Sequence, residues 1–85
     1  MITTTAIEEM IDAKFALEEA RERLYHGAMR PVNRVYESLD LDRFEKVRRA
    51  LGVTSVNPAQ VRDKVVRSFE YGGCVFYCTQ TGGEQ

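Results

Sequence analysis

Few side chains in this sequence could start chemistry. Both cysteines, Cys74 and Cys78, lie in the stretch SFEYGGCVFYC, residues 68–78, and His26 is the single histidine. A thiol needs a neighbouring base or a metal to act as nucleophile or ligand, so any Cys–His device must use His26, and Cys74 with His26 is the one pair worth mutating. On a strand, thiols four residues apart stand about 13 Å apart at Cα, whereas a disulfide needs roughly 4.4–6.8 Å. One zinc ion would have to hold both sulfurs at about 2.3 Å, which an unbroken strand also prevents. The phosphate-loop pattern G-x-x-x-x-G-K-[ST], the dinucleotide pattern G-x-G-x-x-G and the redox pattern C-x-x-C are all absent. The acid pairs Glu8-Glu9, Glu18-Glu19 and Asp40/Asp42 have the settings of caps and solvated faces. The expectation is a chain that is not an enzyme, has no metal and no cofactor, and keeps its thiols buried and free.

The elements around the cysteines decide whether that holds. SFEY and CVFYC flank Gly72-Gly73, and a glycine pair suits the φ > 0 of a two-residue hairpin turn. Pairing across it puts Phe69, Tyr71, Cys74, Phe76 and Cys78 on one face, and Ser68, Glu70, Val75, Tyr77 and Thr79 on the other. The alternative is a helix running to Tyr71, capped by the glycines, with CVFYC as a lone strand partnered by MITTT at the start.

Upstream, helix signals dominate. Thr5 and Glu8 have capping-box spacing, and Gly27 suits a C-cap, so the sequence predicts a long helix over 5–27. Ala6, Met10, Ala13, Leu17, Ala20 and Leu24 recur at spacing 4-3-4-3-4, a seam of alternating small and large residues. It could pack within the domain or receive a partner helix or a second copy, with Met10, Ala13, Leu17, Ala20 and Leu24 as the self-association seam. A helical pair is predicted over 31–51. Val32, Val35, Tyr36 and Leu39 fit a first helix, and Asp40 caps a second with Phe44, Val47 and Leu51 inward. Arg48 falls on that apolar arc and must find a carboxylate or snorkel. Asn57, Pro58 and Gln60 read as the start of a third helix, giving 57–79 as helix plus hairpin and 80–85 as a flexible tail. On that helix Asn57, Gln60, Lys64 and Arg67 would share one stripe, the residue types that touch base edges and phosphates.

The predicted fold is one α+β domain over 1–85, mainly α: a long N-terminal helix, two or three shorter helices and a C-terminal β-hairpin or short strand pair. Charge is divided. Residues 1–40 carry eight acids and five bases, and residues 41–69 carry three acids and seven bases, although the net charge is −1. No apolar run approaches the roughly 18 residues of a membrane span, and MITTTAIEEM lacks a basic leader, so the expected location is cytoplasmic. Helices 32–39, 41–51 and 58–67 followed by a hairpin resemble, in order only, a winged helix-turn-helix. That resemblance implies DNA binding with 57–67 as recognition helix. It departs from the pattern at Arg48, where a small residue belongs, and in the long VTSVN connection. A pI near 5.8 also gives little phosphate-driven attraction. The leading expectation is therefore a small non-enzymatic protein-binding module acting through helix surfaces, an adaptor or an inhibitor of the sort phages and mobile elements encode. Its anchors would come from Tyr36, Arg48, Arg49, Tyr77 or Phe15, and its binding residues from Arg48, Arg49, Asn57, Gln60, Lys64 and Arg67. DNA is the alternative partner, and a homodimer through the first helix an added possibility.

Overall fold

The computed structural model of the protein describes residues 2–27 and 31–81. Its elements run α1 (Thr4–His26), β1 (Val35–Ser38), α2 (Leu41–Ala50), β2 (Asn57–Val61), β3 (Lys64–Tyr71) and β4 (Cys74–Thr81). The strands form one sheet in the order β1-β4-β3-β2. β1 lies parallel to β4, and the other two pairings are antiparallel. Both helices cover the same side. This sheet-rich α+β fold overturns the mainly α expectation.

The helices start where local chemistry permits. Among the three threonines at the front, Thr3 caps α1: its hydroxyl accepts from the Ala6 amide at 3.1 Å. Thr4 instead donates from its hydroxyl to the Ala50 carbonyl at 3.2 Å, joining α1 to the end of α2. The capping pair expected at Thr5 and Glu8 therefore lies inside the helix. Gly27, at φ 66°, closes α1 with its amide on the Arg23 carbonyl. Asp40 caps α2 through Arg43, as its position required.

Two predicted helices are strands. Val35–Ser38 is β1, because in this short stretch the alternation Val35 in, Tyr36 out is satisfied by ladder bonds to β4, from Gly73 to Tyr77. Residues 57–67 form β2, a turn at Arg62-Asp63 and the first half of β3. The capping signals of Asn57 and Gln60 are local. They lose to Val61, Val65 and Val66, whose branched side chains suit a strand, and to register with β4, which no local signal encodes. Pro58 is tolerated because β2 is an edge strand. Residues 57–67 form no recognition helix. Of the tail predicted for 80–85, Gln80 and Thr81 continue β4, and the remainder lies outside the described residues.

The hairpin turns at Gly72-Gly73 (φ 60° and 83°), and Phe69 pairs with Phe76, so the lone-strand alternative does not form. Phe69, Cys74, Phe76 and Cys78 point into the core with Ile7, Ile11, Val35, Phe44 and Val47. The Phe69 ring lies 5.3 Å from Phe44 and 5.2 Å from Phe76, aromatic contact that adds to burial worth about 1.5–3 kcal/mol per large side chain. Arg48 resolves its conflict by pairing with Glu45 at 2.6 Å and donating to the Val53 carbonyl at 2.8 Å. It thereby fixes the loop after α2, and its hydrogen bond holds the Glu45 carboxyl below the usual range.

Phe15 packs over the turn. A Cβ on Gly73 would meet Phe15 Cζ at 2.9 Å, whereas on Gly72 it would meet Ile11 Cδ1 at 3.6 Å. Gly73→Ala should lower stability by about 1–3 kcal/mol and Gly72→Ala by less. Urea midpoints of the two variants check this, and equal losses would contradict the packing of Phe15 on the turn.

Candidate interaction surface

The face of the sheet away from the helices gathers residues from all four strands. β1 gives Tyr36 and Ser38, β4 gives Val75, Tyr77 and Thr79, β3 gives Lys64, Val66, Ser68 and Glu70, and β2 gives Asn57, Ala59 and Val61. No element among the described residues covers this face. Tyr36 is 57% exposed and Val61 54%. Tyr36 stands opposite Val75, and Tyr77 opposite Ser38, so the tyrosines are diagonal neighbours about 8 Å apart at Cα. The centre, Val66, Val75 and Tyr77, is half-buried through mutual cover. Charge is confined to the ends: Arg34 meets Glu70 at 3.5 Å near the β3–β4 turn, and Lys64 opens β3. Six of the chain's acids lie instead on α1 (Glu8, Glu9, Asp12, Glu18, Glu19 and Glu22).

The residues expected to form one binding stripe are dispersed. Asn57 and Lys64 are on the open face, but Gln60 and Arg67 pair with Val65 and Pro58 and project to the helix side. Gln60 donates from Nε2 to the Arg62 carbonyl at 2.8 Å, closing the β2–β3 turn. Arg67 borders Glu45, Val56 and Pro58. Arg48 is held by Glu45, and Arg49 is exposed on α2. Tyr36 and Tyr77, expected as anchors, do share a surface, although Tyr36 reaches it from a strand. The signal that could have found it is the in-out alternation of VYES, obscured because Val32, Val35, Tyr36 and Leu39 also fit helical spacing.

The helix seam is likewise split. Ala6 and Met10 line a groove of about 350 Å³ between the helices, with Leu39, Val47 and Phe76. Glu37 in that groove is engaged by Lys14 at 2.9 Å. Ala13, Leu17, Ala20 and Leu24 are exposed.

The thiols are shielded from solvent. Cys74 and Cys78 are free and buried. Burial pushes the Cys74 thiol up to about 11 and raises that of Cys78. His26 lies about 16 Å beyond Phe15 along α1, beside Glu22 at 3.4 Å. No group of three His, Cys, Asp or Glu among the described residues could hold a metal ion. No helix among them is long and apolar enough to cross a membrane. The Tyr71 hydroxyl donates to Glu8 at 2.8 Å, which raises its pKa and ties the end of β3 to α1. No known protein family, curated protein or solved structure matches this chain.

Because its thiol pKa is raised on folding, Cys74 stabilises the protein fully below about pH 9, its ordinary value, and this contribution is lost as pH rises towards about 11. Urea midpoints should therefore fall across that window, and fall less steeply in Cys74→Ala. Identical slopes would contradict a protonated buried thiol.

Proposed function

We propose that this chain is a small non-enzymatic protein-binding module whose partner surface is the open face of the sheet. One observation carries the reading: tyrosines and valines from all four strands meet on a face that no element among the described residues covers. A soluble two-layer domain normally keeps the solvent face of an antiparallel sheet polar, and a contiguous exposed apolar patch marks an interaction site. Tyr36 and Tyr77 have the character of anchors, large and rigid with a polar tip. Ser38, Ser68, Thr79 and Asn57 offer hydrogen bonds around them, and the Arg34–Glu70 pair and Lys64 form a charged rim.

Protein is favoured over nucleic acid by the placement of charge. Arg34 is already paired with Glu70, so Lys64 is left as the strand cation of this face that could meet phosphate, too little for a backbone-driven affinity. Strands at residues 57–67, in place of a recognition helix, weigh against the winged-helix route to DNA. Catalysis is disfavoured by buried, protonated thiols and a distant histidine.

The test compares affinity capture by the wild type with capture by Tyr36→Glu and Val61→Glu, both substitutions at exposed positions. The reading expects a stoichiometric protein partner, bound by the wild type and weakened at least tenfold by Tyr36→Glu, with circular dichroism unchanged. A partner held equally by both variants would contradict the sheet face as its site. Salt-sensitive binding of single- or double-stranded oligonucleotides, lost in Lys64→Ala, would replace the protein reading with a nucleic-acid one.

A further inference from the structure

α1 is longer than the domain it serves. Ile7 and Ile11 are buried and Phe15 sits on the Gly72-Gly73 turn, but no residue from 16 to 26 is buried. On the sheet-facing arc the next positions are Glu18 and Glu22, acids where a domain-bound helix would continue apolar. The last turns therefore run past the sheet as an arm. Their apolar residues stand on another side: Leu17 is 58% exposed and Leu24 74%. With Ala13 and Ala20 they form a stripe roughly 150° around the helix from Ile7, Ile11 and Phe15, at about 100° per residue.

We propose that this stripe receives the same stripe of a second copy, the two helices running antiparallel about a two-fold axis between Glu18 and Glu19. The order of side chains points to a second copy. In that register Leu17 lies over Ala20 of the second copy, and Leu24 over its Ala13, and symmetry repeats both contacts. Each leucine meets an alanine, which lets the backbones approach and leaves neither a leucine clash nor an alanine gap. Slipping by one turn sets leucine on leucine. Charge does not bar a like partner, although this register sets Lys14 beside Arg21 of the second copy. Lys14 and Arg21, which flank the stripe, already have counter-charges within their own chain, Glu37 at 2.9 Å and Glu18 at 3.7 Å. Arg21 also lies over the Tyr25 ring at 5.6 Å. An arriving copy therefore meets a locally neutralised flank. The domain bodies, attached through residues 4–15, fall at opposite ends of the pair.

The contact spans about 18 Å of helix, so association should be concentration-dependent. Sedimentation of the full chain over a wide concentration range should show mass rising from one copy to two, while Leu17→Glu, exposed in the folded monomer, stays monomeric and keeps the wild-type urea midpoint at dilutions where both are single copies. Two single-cysteine additions, Ala16→Cys and Arg23→Cys, then fix the register, because the antiparallel pair brings position 16 beside position 23 of the other copy. Under mild oxidation the mixed sample should form cross-linked dimer at least tenfold faster than either variant alone. A monomer at every concentration would overturn the proposal, as would a wild-type dimer unaffected by Leu17→Glu. Faster cross-linking of Ala16→Cys with itself than with Arg23→Cys would overturn the antiparallel arrangement.

Discussion

Pairing of β3 with β4 across Gly72-Gly73 is the constraint on which the remaining structure depends. Both glycines have positive φ, and two such residues produce the primed turn that matches strand twist. That turn fixes Phe69 opposite Phe76 and Tyr71 opposite Cys74. Side chains alternate along a strand, so one residue of slippage would exchange the faces. The aromatic and thiol residues would then meet water, and Val75 and Tyr77 would meet the helices. β4 is central to the sheet, with β1 on one side and β3 on the other, so its parity is passed to Val35 and Tyr36, and through β3 to β2.

The helices secure this choice. α2 brings Phe44 and Val47 against the inner face, with the Phe44 ring tilted against Phe69. α1 lays Ile7 and Ile11 on the same layer and closes the turn with Phe15. Three long-range polar contacts, Thr4 to Ala50, Tyr71 to Glu8 and Lys14 to Glu37, set where α1 lies. The same packing leaves two surfaces apolar without a partner among the described residues: the outer face of the sheet and the far side of the α1 arm. A pair of copies joined through their arms would carry two outer faces, and a partner with two sites would gain avidity from both.

The legible parts of the sequence were those with local causes. The glycine pair marks the hairpin, and alternation from Phe69 to Cys78 gives the buried face correctly. Asp40 and Gly27 mark helix ends by capping chemistry, and Arg48 announces a need for a carboxylate, which Glu45 meets. What was not legible depends on distant chain or, at Arg62-Asp63, on a turn that carries no glycine. Pairing of residues 35–38 with 74–77, and of 57–61 with 64–68, has no signature in either segment, whereas Pro58 and Gln60 carry helix-start chemistry that the sheet overrides. The binding stripe drawn on a helix at residues 57–67 dissolved because period two replaced 3.6. The tyrosines could be named one by one, but their meeting needed the parallel register of β1 with β4.

The central claim, that one register buries Cys74, Phe76 and Cys78 and turns residues 75, 77 and 79 outward, is tested most directly by thiol reactivity along β4. Cysteine introduced singly at Val75, Tyr77 or Thr79, with the two native thiols left in place, should add one rapidly modified group, while Cys74, Cys78 and a Phe76→Cys thiol react only after urea unfolds the chain. Rapid modification of the native cysteines in the folded protein, or protection at positions 75 and 77, would contradict the account.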